Sequence, residues 1–318
     1  MRNCSRQVLR TLLVAAAMAA AATAGATTKH YEHVFRAADG SAVKVDVSFH
    51  DVTVTVSPGD EVRVAVDLET KATGERAKQI FKRYEPAFKV EHDTMLIRSV
   101  GQRHWTLFSF GSRNVRGKVV VTMPPGKNLI LDTASGDCTL NGNLGDAKLS
   151  ADVASGDVEV HGGAREISID SASGDVTLEL EGVIEIVSAD TASGDVHVTG
   201  AVNQLKADTA SGDVTASGLT GAASADTASG DVSLEWASIA AGSKVVVDTA
   251  SGDARFVLPA GTEVAGKVTT SSGSIHSDFA GDKSDRGRTL HLSSSAAGAV
   301  RVRIDTASGD VQLRSTSR

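Results

Sequence analysis

The residues best placed to do chemistry are aspartates in a fixed setting. DTASGD occurs verbatim at 132–137, 190–195, 208–213, 226–231, 248–253 and 305–310. DVASGD at 152–157 and DSASGD at 170–175 are close variants, and TTSSGS at 269–274 is a degraded copy. The close of each copy places Asp137, Asp157, Asp175, Asp195, Asp213, Asp231, Asp253 and Asp310 in equivalent positions. The opening positions run likewise from Asp132 to Asp305. If copies stack one strand apart, like charges stand about 5 Å apart, at roughly 0.8 kcal/mol per neighbouring pair in water before screening. Something must offset that cost. One answer is that each carboxylate accepts backbone N–H groups at a turn. The other is calcium bridging by the closing set, Asp137 to Asp253, because hard cations take carboxylate oxygens. The spacing matches neither the D-x-[DN]-x-[DN]-G loop nor G-G-x-G-x-D.

A second cluster is aromatic. Trp105, Phe108 and Phe110 fall within seven residues, beside Arg103, Arg113 and Arg116. Exposed, such a hairpin would contact lipid or a partner; buried, it would pack over the open end of a fold. The nine histidines are scattered, and His161 and His197 hold different places relative to their repeats. No G-x-S-x-G or phosphate-binding loop occurs. The chain offers no catalytic set, and the expectation is a protein that is not an enzyme.

The elements that carry these residues are strands. Val300, Val302 and Ile304 alternate with Arg301, Arg303 and Asp305 before a repeat. Val176, Leu178 and Leu180 alternate with Thr177 and Glu179 after one. Period two means strands with one buried face. Parity then locates a corner. Ile304 and Thr306 share a face, as do Val311 and Leu313, yet Thr306 to Val311 is an odd step. Both point inward only if the chain bends within Ala-Ser-Gly-Asp, where glycine supplies the needed backbone freedom.

The repeated glycines, Gly136 to Gly273, recur at 18 to 22 residues, and a gap of 36 separates Gly273 from Gly309. A period near 20 residues means stacked supersecondary units. The fold expected is all-β: a parallel β-solenoid, or single-stranded β-helix, of about ten coils over residues 124–318. Its inner row would hold Cys138, Val158, Val176, Val196, Val214, Val232, Ala254, Ile275 and Val311. The threonines from Thr133 to Thr306 would point inward with it. Residues 274–304 read as a loop that breaks the rhythm. Arg314 and Arg318 read as charges that blunt the exposed final strand.

Residues 27–123 read as a β-rich cap region that continues into the solenoid, with one helix over Thr73 to Tyr84. Its apolar stripe is Ala77, Ile80, Phe81 and Tyr84, and Pro86 ends it. Pro124-Pro125-Gly126 marks the boundary.

Residues 1–26 read as a secretory signal peptide: Arg2, Arg6 and Arg10, then an uncharged run from Leu12 to Ala24, then a small-x-small site at Ala24-Gly25-Ala26. The run is too short to cross roughly 30 Å of hydrocarbon. The mature chain then carries 29 Lys and Arg against 39 Asp and Glu, a net charge of −10, which argues against a nucleic-acid partner. No transmembrane segment is expected in it, and Cys138 is its one cysteine. Export places it in the periplasm or at the cell surface.

The signal peptide, alternating strands, short helix, proline-glycine turn and repeated S-G-D-[VI]-x-[VL] corners together resemble the bacterial adhesin-like family with β-strand repeats, a domain of unknown function. The resemblance covers roughly residues 40 to 318. It implies a right-handed β-helix and an envelope location, and it carries no catalytic residues over. The function expected is a non-enzymatic envelope protein, adhesin-like or a structural or sensory scaffold, with a cell-envelope component or protein as partner. The alternatives are a polysaccharide-active β-helix enzyme, on analogy of fold alone, and a calcium-dependent binding module.

Overall fold

Apolar residues that alternate with polar ones, interrupted every twenty residues by a glycine corner, leave the chain one way to bury its inner face. It winds into coils whose strands pair with the coil before and the coil after. The computed structural model describes residues 26–101 and 115–316. In it, the repeats form a parallel β-solenoid, two strands to a coil, one on each side of the corner. Asn128–Thr133 and Cys138–Asn143 make one such coil, and Lys148–Val153 and Val158–Gly163 the next. Registers are strict: Asp132, Asp152 and Asp170 are direct neighbours, as are Cys138, Val158 and Val176.

The inner row predicted from parity is buried throughout, and so is the threonine row. Exposure across the last corner follows the same logic. Thr306 and Val311 are buried, while Ala307 and Ser308 between them are exposed. The core is built from valine, alanine, leucine and isoleucine, with Trp236 the largest buried side chain. Its indole Nε1 donates to the Gly221 carbonyl at 2.8 Å, so the ring is buried without an orphaned donor. Each fully buried valine or leucine contributes about 1.5–3 kcal/mol over its exposed state. Among the described residues this continuous core, without a disulfide, holds the rod together.

The order of coils in space differs from their order in sequence at both ends. At the amino-terminal end, Ala42–Val47 and His50–Val56 form a coil lying directly against Asn128–Thr133 and Cys138–Asn143. Thr94–Ser99 and Val115–Met123 form another coil on its far side. The first coil made is thus second in the stack. The solenoid ladder therefore begins at residue 42, within the region read as a cap.

At the other end the same exchange occurs. Val300–Ser308 and Val311–Ser315 lie between the coil of Lys244–Ser251 and Ala254–Leu258 and the coil of Val264–Ser272 and Ile275–Ser277. This corrects the reading of residues 274–304 as a loop and of the Arg314 strand as the exposed edge. The strand Val311–Ser315 is interior to the ladder. Residues 281–292 hold a short hairpin, Gly281–Ser284 and Thr289–Leu292, laid antiparallel along Val264–Ser272.

Antiparallel strands also close the opposite end. Ala87–Glu91 pairs with Thr94–Ser99, and Glu61–Thr70 pairs with Val115–Met123 and carries Thr27–Arg36 outside it. Reversed strands cannot serve as a further coil, so the parallel ladder stops at eleven coils, about 48 Å long at ordinary strand spacing. The helix runs Gly74–Arg83, flanked by Thr73 and Tyr84 as expected. It buries Ala77 and Phe81 against Leu68, and Tyr84 edges onto Phe49.

Candidate functional site

The two aspartate sets, equivalent in the sequence, part company in the fold. The closing set sits just past the corner glycine. There the coil-to-coil hydrogen bonds continue around the bend, as in Gly212 N–H donating to Ser229 O at 3.1 Å. The glycine is required. Gly212 has φ 151°, and a Cβ on it would lie 2.0 Å from the carbonyl oxygen of Gly194. The tight corner turns the following N–H toward the neighbouring coil, where a carboxylate waits. Asp157 N–H donates to Asp137 Oδ1, Asp175 to Asp157, and Asp195 to Asp175. The same bond links Asp213 to Asp195, Asp231 to Asp213, Asp253 to Asp231 and Asp310 to Asp253. Asp51 begins the row by accepting from Asp137, and Ser274 ends it by donating to Asp310. These bonds measure 2.7–3.3 Å. They supply the offset that like-charge stacking demands, because a charged acceptor strengthens the bond from an N–H. One oxygen of each carboxylate is used in this way.

The opening set lies on the outer face of the strand before the corner and accepts no such bond. Nine of these residues stand in single file from Asp46 to Asp305. The row is neutralised only in places. Arg98 meets Asp46 at 3.1 Å, Lys44 meets Asp132 at 3.4 Å, and Arg303 meets Asp305 at 2.8 Å. In the middle, the Lys206 ammonium straddles two coils, 3.1 Å from Asp190 and 2.6 Å from Asp208. Burial, with Asp208 adding to it against the pull of Lys206, raises the Asp190 carboxyl above the ordinary range. Burial first, and then Asp208 and Asp248, raise Asp226.

Between this row and the exposed alanines of the corner runs an open groove of about 1340 Å³, spanning the eight coils from Asp152 to Thr269. Aspartates form one wall, alanine methyls the other, and the threonine row the floor. The signal for it was present in the sequence. In D-T-A the first and third residues face outward on either side of an inward second.

The other expected sites resolve differently. Trp105, Phe108 and Phe110 lie outside the described residues. His161 Nδ1 is 2.9 Å from Glu179 Oε2, and His197 faces Thr177 and Thr215 across the ladder, so the two do not meet. Among the described residues, no three His, Cys, Asp or Glu side chains gather as metal ligands would. Cys138 is buried, its thiol pushed up to about 12 by burial and by Asp137 and Asp51, away from the thiolate form that a nucleophile needs.

A parallel β-solenoid with in-register corners, closed at both ends by antiparallel strands, defines the class of this protein. Within that class the chain belongs to the Toastrack DUF4097 family, which it matches over residues 42–314. No curated protein matches it in sequence. Among solved structures it is similar to one from Parabacteroides distasonis described as a putative lipid binding protein, at 12% identity and a TM-score of 0.50, covering 90% of this chain and 97% of the other. It is also similar to a putative adhesin from Bacteroides fragilis, at 15% identity and a TM-score of 0.47, covering 72% of this chain and 96% of the other. The fold is common to the Parabacteroides structure and this chain. Among the described residues, no helix is long and apolar enough to cross a membrane.

Proposed function

We propose that the chain is an exported, non-enzymatic envelope protein, adhesin-like or a scaffold, that binds through its long repeated face. The observation that carries this reading is the register of the corners. The same exposed Ala-Ser-Gly-Asp is presented at one strand spacing on coil after coil, as in Ser193, Ser211, Ser229 and Ser251. A surface of that kind engages a partner through many weak contacts in series, where a catalytic site needs a few unlike groups converging on one point. The calcium-dependent variant rests on the second oxygen of Asp137 to Asp253, which takes no part in the N–H ladder.

The test is cosedimentation of residues 27–318 with isolated cell-envelope fractions, in calcium and in chelator. Pelleting in both conditions supports a scaffold or adhesin. Pelleting in calcium alone makes the closing aspartates the binding site. Failure to pellet in either overturns the envelope reading, and cleavage of a polysaccharide panel would then favour the enzyme.

A further inference from the structure

The amino-terminal closure leaves one long strand edge open. Thr27–Arg36 pairs with Glu61–Thr70 over ten unbroken positions, and among the described residues no strand pairs with its other side. Ala37 N–H donates to Asp60 O at 2.6 Å, one step beyond that register. Along an antiparallel pair, residues alternate between those that exchange hydrogen bonds with the partner and those whose N–H and C=O point away from it. The odd-numbered residues therefore bond to Glu61–Thr70, and Thr28, His30, Glu32 and Val34 turn their backbone groups outward. The Arg36 N–H, next in that outward series, is taken by Asp39 Oδ2 at 2.9 Å.

Open edges are ordinarily kept short or charged. The carboxyl-terminal end follows that rule, since its outermost strands are Ile275–Ser277 and the fully exposed Gly281–Ser284, with Asp282 and Lys283. The amino-terminal edge does not. Its ten residues include no proline, and Val34 is 52% exposed. Val90, 48% exposed, stands on Ala87–Glu91, the other outermost strand of that end. His33 of one strand stacks on Phe88 of the other at 4.8 Å, so the two are neighbours. Two of the four large hydrophobics exposed among the described residues thus share one tip.

The edge is complementary to itself. A second copy laid antiparallel must set even-numbered residues opposite even-numbered ones for both sets of outward groups to meet. Centring the pair on His30 or on Glu32 faces that residue with its own kind. Centring it on Tyr31 sets His30 opposite Glu32 twice and Thr28 opposite Val34 twice. All four outward-turned residues then exchange both hydrogen bonds, and each exposed Val34 lies beside a threonine methyl. We propose that Thr27–Arg36 is a self-recognition edge, through which two copies join tip to tip by antiparallel pairing, His30 of each opposite Glu32 of the other.

The pairing is read on purified protein, so it stands or falls apart from the envelope reading. The experiment is analytical ultracentrifugation of residues 27–318 from about 1 to about 100 μM, where a monomer–dimer equilibrium is expected. Val34→Pro removes an outward N–H that an edge strand can spare. It should weaken the dimer at least about ten-fold while leaving the urea melt of dilute protein unchanged. Glu32→Lys, which faces His30 with a second cation, should weaken the dimer about five-fold. The Thr28→Cys/Val34→Cys double variant should be joined into covalent dimers by a short bismaleimide, and neither single variant should be. If the proline unfolds the closure, Glu32→Lys and the cross-linking decide. A monomer at every concentration would overturn the proposal, as would a dimer that both substitutions leave intact. Cross-linking of either single variant would overturn the register.

Discussion

Acid should unfold this protein through one buried imidazole. His50 opens the strand His50–Val56 and is fully buried. Its ring stacks on Phe49 at 4.5 Å and packs so closely on Gly117 that a Cβ there would come within 2.1 Å of it. Nε2 lies 3.2 Å from Ser99 Oγ, while Nδ1 has no partner among the described residues. Among the described residues no carboxylate is in contact to steady a charge, and burial lowers its pKa from 6.5 to about 4. The folded protein therefore binds this proton less tightly than the unfolded chain. The contribution of the neutral ring is fully present above about pH 6.5. It is lost as pH falls, until the folded form also protonates near pH 4. A difference of about 2.5 units at 1.36 kcal/mol each is about 3 kcal/mol across that window. The perturbation is His50→Phe, which keeps an aromatic ring in the slot and removes the titration. Ser99 keeps its bond to the Tyr84 carbonyl at 2.7 Å. Urea melts of both proteins at pH 7, 5.5 and 4 should show the wild type losing about 3 kcal/mol more than the variant. Parallel losses in the two proteins would refute the assignment of acid sensitivity to His50.

Two further outcomes follow from the corner. Gly212→Ala should cost more than about 3 kcal/mol in thermal or denaturant melts, because the new Cβ meets a ladder carbonyl that cannot retreat. Gly182→Ala, at φ 81° but with open space around the Cβ, should cost only about 1 kcal/mol. Asp213→Asn should leave stability nearly unchanged, since an amide oxygen still accepts from Asp231 N–H, whereas Asp213→Ala should lose about 1 kcal/mol by the same melts.

Much of this was legible in the chain. Alternation around Val311 and Thr306 placed the corner within four residues and named the buried row, because side-chain period two leaves no second choice of face. Of the two answers the sequence offers for the aspartates, N–H acceptance at a turn and calcium bridging, the first describes the closing row and not the opening one. The structure adds that the donor comes from the neighbouring coil, a contact that no spacing within one repeat can show. Alternation tells which face a strand buries but is silent on its neighbours. So the insertion of Val300–Ser315 ahead of the coil at Val264–Ser277 was hidden, and the 36-residue gap concealed a hairpin. The groove was hidden for a related reason. Asp190 and Asp195 look alike as letters, and only the glycine turn between them gives one a backbone donor and leaves the other facing the alanines.

The exchanged coils at both ends bear on how such a rod can change its length. A gene segment encoding one repeat, duplicated between Asn128 and Leu258, would enter as one more layer. Every strand from Lys148–Val153 to Val232–Trp236 there pairs with the repeat before it and the repeat after it. The rod would grow by about 4.8 Å and keep both closures. Duplication inside either terminal exchange would separate strands that must touch, such as Val245 from Val302 or Val45 from Leu131. The interior is thus free to drift in copy number while the ends are held fixed, and the length of the repeated face would be set by how many copies the gene has accumulated.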